Sequence, residues 1–272
     1  MGATERDPPP PGGALGVLKR QAKRSAAIRS AHGWLKEGVL GRRSSERVWR
    51  KGAPLELGFW ERRLRDPDVA SKWGDFHYRT DPQAPERDPL VRSVLDRIPD
   101  ESVSVLDVGA GPLTALGKTH RGKAISLTAT DPLADDYGRV LLDAGVEPPV
   151  PTIPCRGEDL LDRFQPGSFD LAYSKNALDH SVDAVRVIAN MVELVKEGRF
   201  VVLRHRRREG ASENYWGLHQ WNFDAADGEF LVWRGRRRKV SMNEVLSGRA
   251  TVDCALQRGW VVCLITRHRA AA

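Results

Sequence analysis

The feature that most constrains the fold is a regular alternation of strand and helix signals, which begins at about residue 80. Short apolar runs recur between amphipathic segments, and the clearest predicted helix covers residues 181–196. Strands that alternate with helices predict an α/β fold, a mostly parallel sheet with helices on both faces, because right-handed crossovers bring each strand back to the same sheet. We predict strands at 104–108, 125–130, 150–155, 169–174 and 199–204.

The chain of 272 residues has room for one sizeable domain and an appendage. Residues 1–13 are rich in proline and glycine and predict a disordered tail, since such sequence buries little apolar surface. Residues 14–80 predict a basic helical extension, in which three tryptophans anchor a lid on the main domain. The main domain is expected at 81–272, and an apolar periodic run at 90–98 predicts its first helix. The three tryptophans are Trp49, Trp60 and Trp73.

Positive charge is concentrated ahead of the predicted main domain. Residues 1–80 hold 17 Lys and Arg against 9 Asp and Glu, whereas the whole chain has a net charge of +7. Such an extension favours contact with nucleic acid, an anionic membrane surface or an acidic partner, and a merely solvated face is an equally weighted alternative. The sequence leaves the oligomeric state open.

Several absences in the sequence favour a cytoplasmic location. No stretch approaches the ~20 unbroken apolar residues of a membrane-spanning helix, so an integral membrane protein is not expected. The Pro-rich start of the chain argues against a secretory signal. The three cysteines have no metal-ligand spacing and are an odd number, which fits a reducing compartment better than a disulfide framework.

The segment that carries most chemical information covers residues 103–112 and has the sequence VSVLDVGAGP. An apolar strand leads there into a turn with Gly109 and Gly111, and a helix is expected to follow. Glycines let the backbone turn tightly and approach a ligand closely, while a helix N-terminus offers unpaired N–H groups. Asp107 stands two residues before the first glycine, and Thr114 occupies the place of the third glycine of a dinucleotide-binding fingerprint.

Further polar residues follow the next predicted strands. Asp131 ends the second strand, where a carboxylate is well placed to accept hydrogen bonds from both hydroxyls of a ribose. Glu158 and Asp159 follow the third strand, and Asn176 follows the fourth. Because the carboxyl ends of parallel strands meet at one edge of the sheet, these residues are expected to line one ligand site. The alternative for each acid is a helix cap, a turn former or a surface charge.

Over about residues 90–267 the chain resembles the class I S-adenosylmethionine (SAM)-dependent methyltransferase superfamily. The resemblance implies a Rossmann-like, seven-stranded, mostly parallel sheet whose last strand is antiparallel, and residues 250–267 fit the terminal hairpin. The matching pieces stand in the order that the family has them: VLDVGAGP, Asp131, GEDL, FDLAYSKNALDH and EGRFVVLRH.

The resemblance also implies SAM as cofactor and a role for each acid. Asp107 would lie near the cationic methionine moiety and Asp131 on the ribose, while Glu158 or Asp159 would pair with the adenine amine. One departure is the Pro-Leu pair after Gly111, where the family commonly has Thr-Gly or Ser-Gly. This pair is expected to narrow the loop beside the methionine moiety.

Acceptor chemistry is expected in two later segments. His180 and His219 titrate near neutrality, so either suits a general base for a hydroxyl acceptor, although His180 also fits a simple turn before the next helix. The LHQWNF segment at 218–223 resembles segments of bacterial methyltransferases that act on saccharides or natural products. Amides and flat aromatic surface recognise polar rings, which predicts an acceptor site made of Asp179, Gln220, Trp221 and Asn222.

The predicted function is therefore methyl transfer to a small polar acceptor, with no metal, since the sequence shows no metal motif. An RNA methyltransferase is the first alternative, favoured by the basic extension and by a predicted hairpin with a basic tip at 234–239. The SKNA stretch at 174–177 counts against it, because base-amine methylators usually carry an Asn/Asp-Pro-Pro-aromatic segment there. A SAM-binding protein without turnover is the second alternative, and a nicotinamide-dependent oxidoreductase a distant third.

Overall fold

The structure is a computed structural model and describes residues 45–66 and 74–270. The predicted tail at 1–13, the part of the predicted extension ahead of residue 45 and Trp73 lie outside the described residues. The domain boundary at residue 13 therefore stays a prediction, and so does the boundary at residue 80. In the described ranges no helix is both long and apolar enough to cross a bilayer.

Two sheets form the framework of the described residues, and their strands are numbered in chain order. The central eight-stranded sheet has the order β10-β11-β6-β5-β1-β3-β2, with β4 also paired to β3, and the small second sheet has the order β7-β8-β9. The strands are β1 Ser102–Val108, β2 Thr119–His120, β3 Lys123–Asp131, β4 Thr152–Pro154, β5 Phe169–Lys175, β6 Val195–Arg206, β7 Trp221–Ala226, β8 Glu229–Arg234, β9 Val240–Ser241, β10 Ala250–Gln257 and β11 Trp260–Arg267.

The central sheet confirms the predicted fold class. Strand β1 pairs in parallel with β3 and β5, and β5 pairs in parallel with β6. The last strand, β11, runs antiparallel to both β6 and β10. The predicted terminal hairpin is also present: Arg258 and Gly259 both have positive φ, as a two-residue turn between twisted antiparallel strands requires.

Helices lie on both faces of the central sheet. They are α1 at residues 45–65, α2 Phe76–Thr80, α3 Pro89–Arg97, α4 Ala134–Asp143, α5 Leu160–Arg163, α6 Ala184–Leu194, α7 Glu209–Ser212 and α8 Met242–Val245. Side chains alternate along β1, so Val103 and Val105 pack with α3 while Leu106 and Val108 pack with α6 on the other face.

Local capping explains where the two predicted helices begin. Asp88 accepts hydrogen bonds from the N–H groups of Leu90 and Val91 and so caps α3, whose first residue is a proline. Helix α6 begins at Ala184, later than predicted, because Asp183 is its cap and accepts from the Arg186 N–H at 3.1 Å.

The helix expected after the glycine turn is wrong. Residues 109–118 form a loop that leads into β2, which folds back on the start of β3. Local hydrogen bonds compete with a helix in this loop, since the hydroxyl of Thr114 donates to Asp107 and the N–H of Gly117 donates to Glu86 at 2.8 Å. Gly117 also lies so close to Glu86 that a Cβ there would approach its backbone nitrogen to 2.3 Å.

The second sheet packs on the α6 face of the central sheet. Phe223 on β7 and Phe230 on β8 are fully buried in the same core as α6. The predicted hairpin with a basic tip corresponds to β8 and β9, which flank residues 235–239. This sheet fixes the position of the preceding segment at 207–220, which completes the site described next.

Candidate functional site

A cavity of about 430 Å³ lies at the carboxyl ends of β1, β3 and β5. Its volume is in the range of small-molecule sites, roughly 300–1,000 Å³. The position is the usual one for a ligand site in an open α/β sheet. The lining includes both glycines of the turn, four acids, three tryptophans and one histidine: Gly109, Gly111, Glu56, Asp107, Asp131, Glu158, Trp49, Trp60, Trp260 and His180.

The glycine turn forms the floor of this cavity. Gly109 and Gly111 have φ values of +73° and +66°, a region that side chains rarely adopt. A Cβ at Gly109 would lie 2.4 Å from the Cβ of Ala177, which follows β5. Only glycine therefore lets the turn approach the loop after β5 so closely.

Two buried aspartates flank the turn. Asp107 accepts a hydrogen bond of 2.6 Å from the Thr114 hydroxyl, and burial raises its pKa to about 6. Asp131 accepts from the N–H groups of Gly111 at 3.1 Å and Leu133 at 2.9 Å, and burial raises its pKa to about 6 as well. A raised pKa means that the negative charge is poorly compensated, so a cation in the cavity would stabilise both carboxylates.

The two acids after β4 point in different directions. Glu158 lines the cavity, accepts from the Asp183 N–H at 2.8 Å, and has a pKa raised by burial. Asp159 is exposed and is not among the residues that line the cavity. The cause is the tight 3₁₀ turn Gly157–Asp159, which Asn190 holds through hydrogen bonds to two of its carbonyls. Of this predicted pair, only Glu158 faces the site.

Asn176 lines the cavity and links the ends of two strands. Its Oδ1 accepts from the Arg206 N–H at 3.2 Å, and its Nδ2 donates to Glu209 at 3.1 Å. The residue has a positive φ of 50°, a conformation that asparagine tolerates better than most residues. Its side chain therefore connects the cofactor end of the cavity with α7.

Helix α1 supplies an aromatic wall. Trp49 and Trp60, two of the three tryptophans predicted in the extension, line the cavity. Trp60 stands over Gly111, where an added Cβ would be 3.4 Å from its ring, and meets Tyr137 edge to face at 6.4 Å. The wall thus lies close over the glycine turn at Gly111.

Asp179, His180 and His219, which we call the His–Asp cluster, lie together beside the cavity. The Nδ1 of His219 is 2.7 Å from Oδ2 of Asp179, and the Nε2 of His180 is 3.4 Å from that same oxygen. The two imidazole nitrogens are 3.2 Å apart. His180 lines the cavity, Asp179 is fully buried, and the Gln220 N–H holds the backbone carbonyl of Asp179 at 2.8 Å. The predicted histidines are thus brought together although 39 positions separate them.

The charges within the cluster reinforce one another. Burial alone would raise the pKa of Asp179, but the charge of His180 and the hydrogen bond from His219 outweigh it and lower that pKa. Burial would likewise lower the pKa of His219, yet its hydrogen bond to Asp179 outweighs burial and raises it. The hydrogen bond to Asp179 therefore makes the His219 imidazole more basic, and a more basic imidazole is a stronger proton acceptor.

Two buried residues that the sequence did not single out adjoin the cluster. Burial lowers the pKa of His205 to about 4, and its ring stacks on Phe223 at 4.5 Å. Burial and the charge of Asp179 raise the pKa of Glu209 to about 7. The signal was a histidine shortly after the apolar run at 200–203 and an acid at the following helix start, but only the fold reveals their proximity.

None of the four predicted acceptor residues, Asp179, Gln220, Trp221 and Asn222, lines the cavity, and the contacts of Trp221 and Asn222 correct the prediction for these two. The indole N–H of Trp221 donates to the Ser181 carbonyl at 2.9 Å. Asn222 is fully buried, accepts from the Ala211 N–H at 2.8 Å and donates to the Tyr215 hydroxyl at 3.2 Å. Pairing in β7 turns these side chains towards the protein, so they fix the segment instead of meeting a ligand. Gln220 is also buried.

The central sheet has the topology that the resemblance to class I SAM-dependent methyltransferases implies: β1 is central, and the antiparallel last strand, β11, lies between β6 and β10. No family model and no curated protein matches the chain. Similar solved structures include the CurJ carbon methyltransferase (14% identity, 91% of this chain and 71% of that chain, TM-score 0.47). Another is the 1,6-didemethyltoxoflavin-N1-methyltransferase of Burkholderia thailandensis (16% identity, 81% of this chain and 90% of that chain, TM-score 0.42). A third is a SAM-dependent methyltransferase from Methanosarcina mazei (15% identity, 67% of this chain and 98% of that chain, TM-score 0.40). At these identities the likeness concerns the fold alone.

Proposed function

We propose that the protein is a SAM-dependent methyltransferase that methylates a hydroxyl of a small polar acceptor, either a saccharide or a secondary metabolite. The observation that carries the proposal is the set of buried carboxylates around the glycine turn, Asp107, Asp131 and Glu158, whose pKa values are all raised by burial. SAM bears a sulfonium and an ammonium group, which compensate this negative charge. The pyrophosphate of a dinucleotide would instead add to it, which disfavours a nicotinamide cofactor.

The cavity residues suit the parts of SAM in a simple order. Asp131 would accept hydrogen bonds from the ribose hydroxyls, and Glu158 would pair with the adenine amine. Asp107 and Asn176 would stand at the methionine end, next to the close-packed turn at Gly109. Trp60 would cover the cofactor from the side of α1, where it already lines the cavity.

Methyl transfer from a sulfonium needs orientation of the acceptor more than activation of the donor. Bound SAM would supply the methyl group: as the acceptor oxygen bonds to the methyl carbon, the carbon–sulfur bond would break and its electron pair would stay on sulfur as a thioether. The hydroxyl proton leaves to the His–Asp cluster, in which either His180 or His219 acts as the base. His180 is the nearer to the donor, since it lines the cavity.

The deciding experiment incubates the purified full chain with methyl-labelled SAM and separate fractions of cell metabolites and total RNA. We expect the label in a small polar metabolite, identified by mass analysis. Label in the RNA fraction would favour an RNA methyltransferase, and a salt series would then test for phosphate contacts. SAM binding without labelling of any fraction would favour a non-catalytic SAM-binding protein, and no binding of SAM would end the proposal altogether.

A further inference from the structure

We propose that the His–Asp cluster binds one divalent transition-metal ion at the edge of the cavity. The binding itself does not depend on the proposed function; only the role of the ion does. The sequence predicts no metal because the ligands come from two segments far apart in the chain, an Asp-His pair before α6 and a histidine before β7.

The three donor atoms of the cluster already form a triangle of suitable size. Its sides are the 2.7, 3.2 and 3.4 Å distances between Asp179 Oδ2, His180 Nε2 and His219 Nδ1. Ligand atoms about 2.0–2.2 Å from a zinc-like ion in tetrahedral geometry are roughly 3.3–3.5 Å apart. A small expansion of the triangle therefore admits an ion. Two imidazoles and a carboxylate are a ligand set that first-row divalent metals favour.

Hydrogen bonds alone satisfy this triangle poorly. A single proton on Nδ1 of His219 cannot serve fully both the Asp179 oxygen at 2.7 Å and the nitrogen of His180 at 3.2 Å. The other oxygen of Asp179, Oδ1, is buried and has no hydrogen-bond partner among the described residues. A cation between the three groups would interact with every lone pair that converges there.

The surroundings provide an independent sign of a missing ligand. Glu209 is 5% exposed, its Oε1 accepts from Asn176, and its Oε2 is buried without a partner in the described part of the chain. The side-chain amide of Gln220, 2% exposed, is likewise unpartnered. Glu209 interacts electrostatically with all three residues of the cluster, so its unpartnered oxygen belongs to the same polar environment. Buried polar atoms without partners commonly mark a bound ion or water.

An ordinary His–Asp pair in the same fold looks different. His120 contacts Oδ1 of Asp96 at 2.8 Å, while Arg121 occupies the second oxygen of that carboxylate at 3.1 Å. Each oxygen of Asp96 thus has a partner, and within residues 45–66 and 74–270 no third ligand-type side chain converges on the pair. The His–Asp cluster has the extra imidazole and lacks the arginine, as a cation site requires.

The ion would change how the acceptor is activated. Because His180 lines the cavity, a hydroxyl beside it could bind the ion and lose its proton more easily, with the proton passing to solvent. The two imidazoles then act as ligands in place of the base proposed above.

The experiment titrates the chelator-stripped full chain with Co²⁺ and with Zn²⁺, followed by calorimetry and, for Co²⁺, by visible absorption. We expect one ion per chain and the absorption of cobalt bound by nitrogen and oxygen. His180→Ala and His219→Ala should each weaken binding by at least about tenfold. The matched control is His268→Ala, since His268 is an exposed histidine away from the cluster.

Three results would overturn the metal site: no saturable binding, equal affinity in the cluster variants and the control, or a cobalt–thiolate charge-transfer band that assigns the ion to cysteine. SAM affinity of the same stripped samples is measured in parallel. It reports whether each variant is folded and tests the cofactor proposal separately, so one idea can fail while the other stands.

Discussion

At the scale of single residues, the buried acids predict how cofactor binding depends on pH. The pKa values of Asp107 and Asp131 are both about 6 in the free protein, above their unfolded values. Each acid therefore stabilises the free fold most at low pH, and that contribution is lost as the pH rises from about 4 through 6. Bound SAM favours the ionised forms, so its affinity should fall at least about tenfold between pH 7.5 and pH 5. Calorimetric measurement of SAM affinity between pH 5 and pH 7.5 is the test. In Asp131→Asn the side chain at position 131 cannot titrate, so SAM affinity should depend less on pH. A flat profile in the unmodified protein would contradict the charge argument.

The ribose role of Asp131 makes a separate prediction. Asp131→Ala should weaken SAM binding by roughly 10- to 100-fold, because hydrogen bonds to a charged group contribute about 1.5–3 kcal/mol. Asp159→Ala is the matched control, because this acid is close in sequence to Glu158 but exposed. An unchanged dissociation constant in Asp131→Ala would remove the proposed contact.

The His–Asp cluster predicts a loss of turnover without a loss of cofactor. His180→Ala and His219→Ala should each lower kcat by about 10²- to 10⁴-fold, the usual contribution of a proton-transfer group. SAM affinity should stay within about twofold, because neither imidazole is assigned to the cofactor. Full activity in both variants would exclude the cluster from the reaction.

Local sequence predicted some of these residues and not others. Asp107, Gly109, Gly111 and Asp131 follow from strand ends and turn chemistry, which short segments encode. The placement of Glu209 beside Asp179 depends on how the second sheet holds the segment after β6, and no local pattern encodes that.

At the scale of elements, the glycine turn is the sharpest test of the fold. Gly109→Ala places a Cβ 2.4 Å from Ala177 at a positive φ, whereas Gly122→Ala has similar φ strain with nothing within 4 Å. The strain alone costs about 1–3 kcal/mol of unfolding free energy, so Gly122→Ala should lose that and keep SAM affinity. Gly109→Ala should lose more and bind SAM weakly. Equal effects in chemical denaturation and SAM titration would show that the close approach is unimportant.

The elements also show where local sequence patterns stop predicting the structure. Strands and amphipathic helices were predicted within a few residues, because apolar periodicity is a local property. The helix expected after Gly111 was wrong because Thr114 and Gly117 make competing bonds to Asp107 and Glu86. Glu86 stands more than 20 positions away, so this competition was not visible in the segment itself.

At the scale of the whole molecule, cofactor binding should stabilise the fold. A ligand at 100 times its Kd adds about 2.7 kcal/mol, and each kcal/mol raises Tm by roughly 2–4 °C for a domain of this size. SAM at that excess should therefore raise Tm by about 5–10 °C. NAD at the same concentration should leave Tm unchanged, and a larger shift with NAD would favour an oxidoreductase.

The poorly compensated aspartates have a consequence for the end of a catalytic cycle. Once the methyl group has left, the sulfur of the spent cofactor is neutral. The buried carboxylates of Asp107 and Asp131 then lack the positive charge of the sulfonium that compensated them. We expect the site to hold this product less tightly than the incoming donor, so that the exchange of one for the other is driven by charge. Product inhibition should accordingly be weak, and the enzyme should keep working as the spent cofactor accumulates.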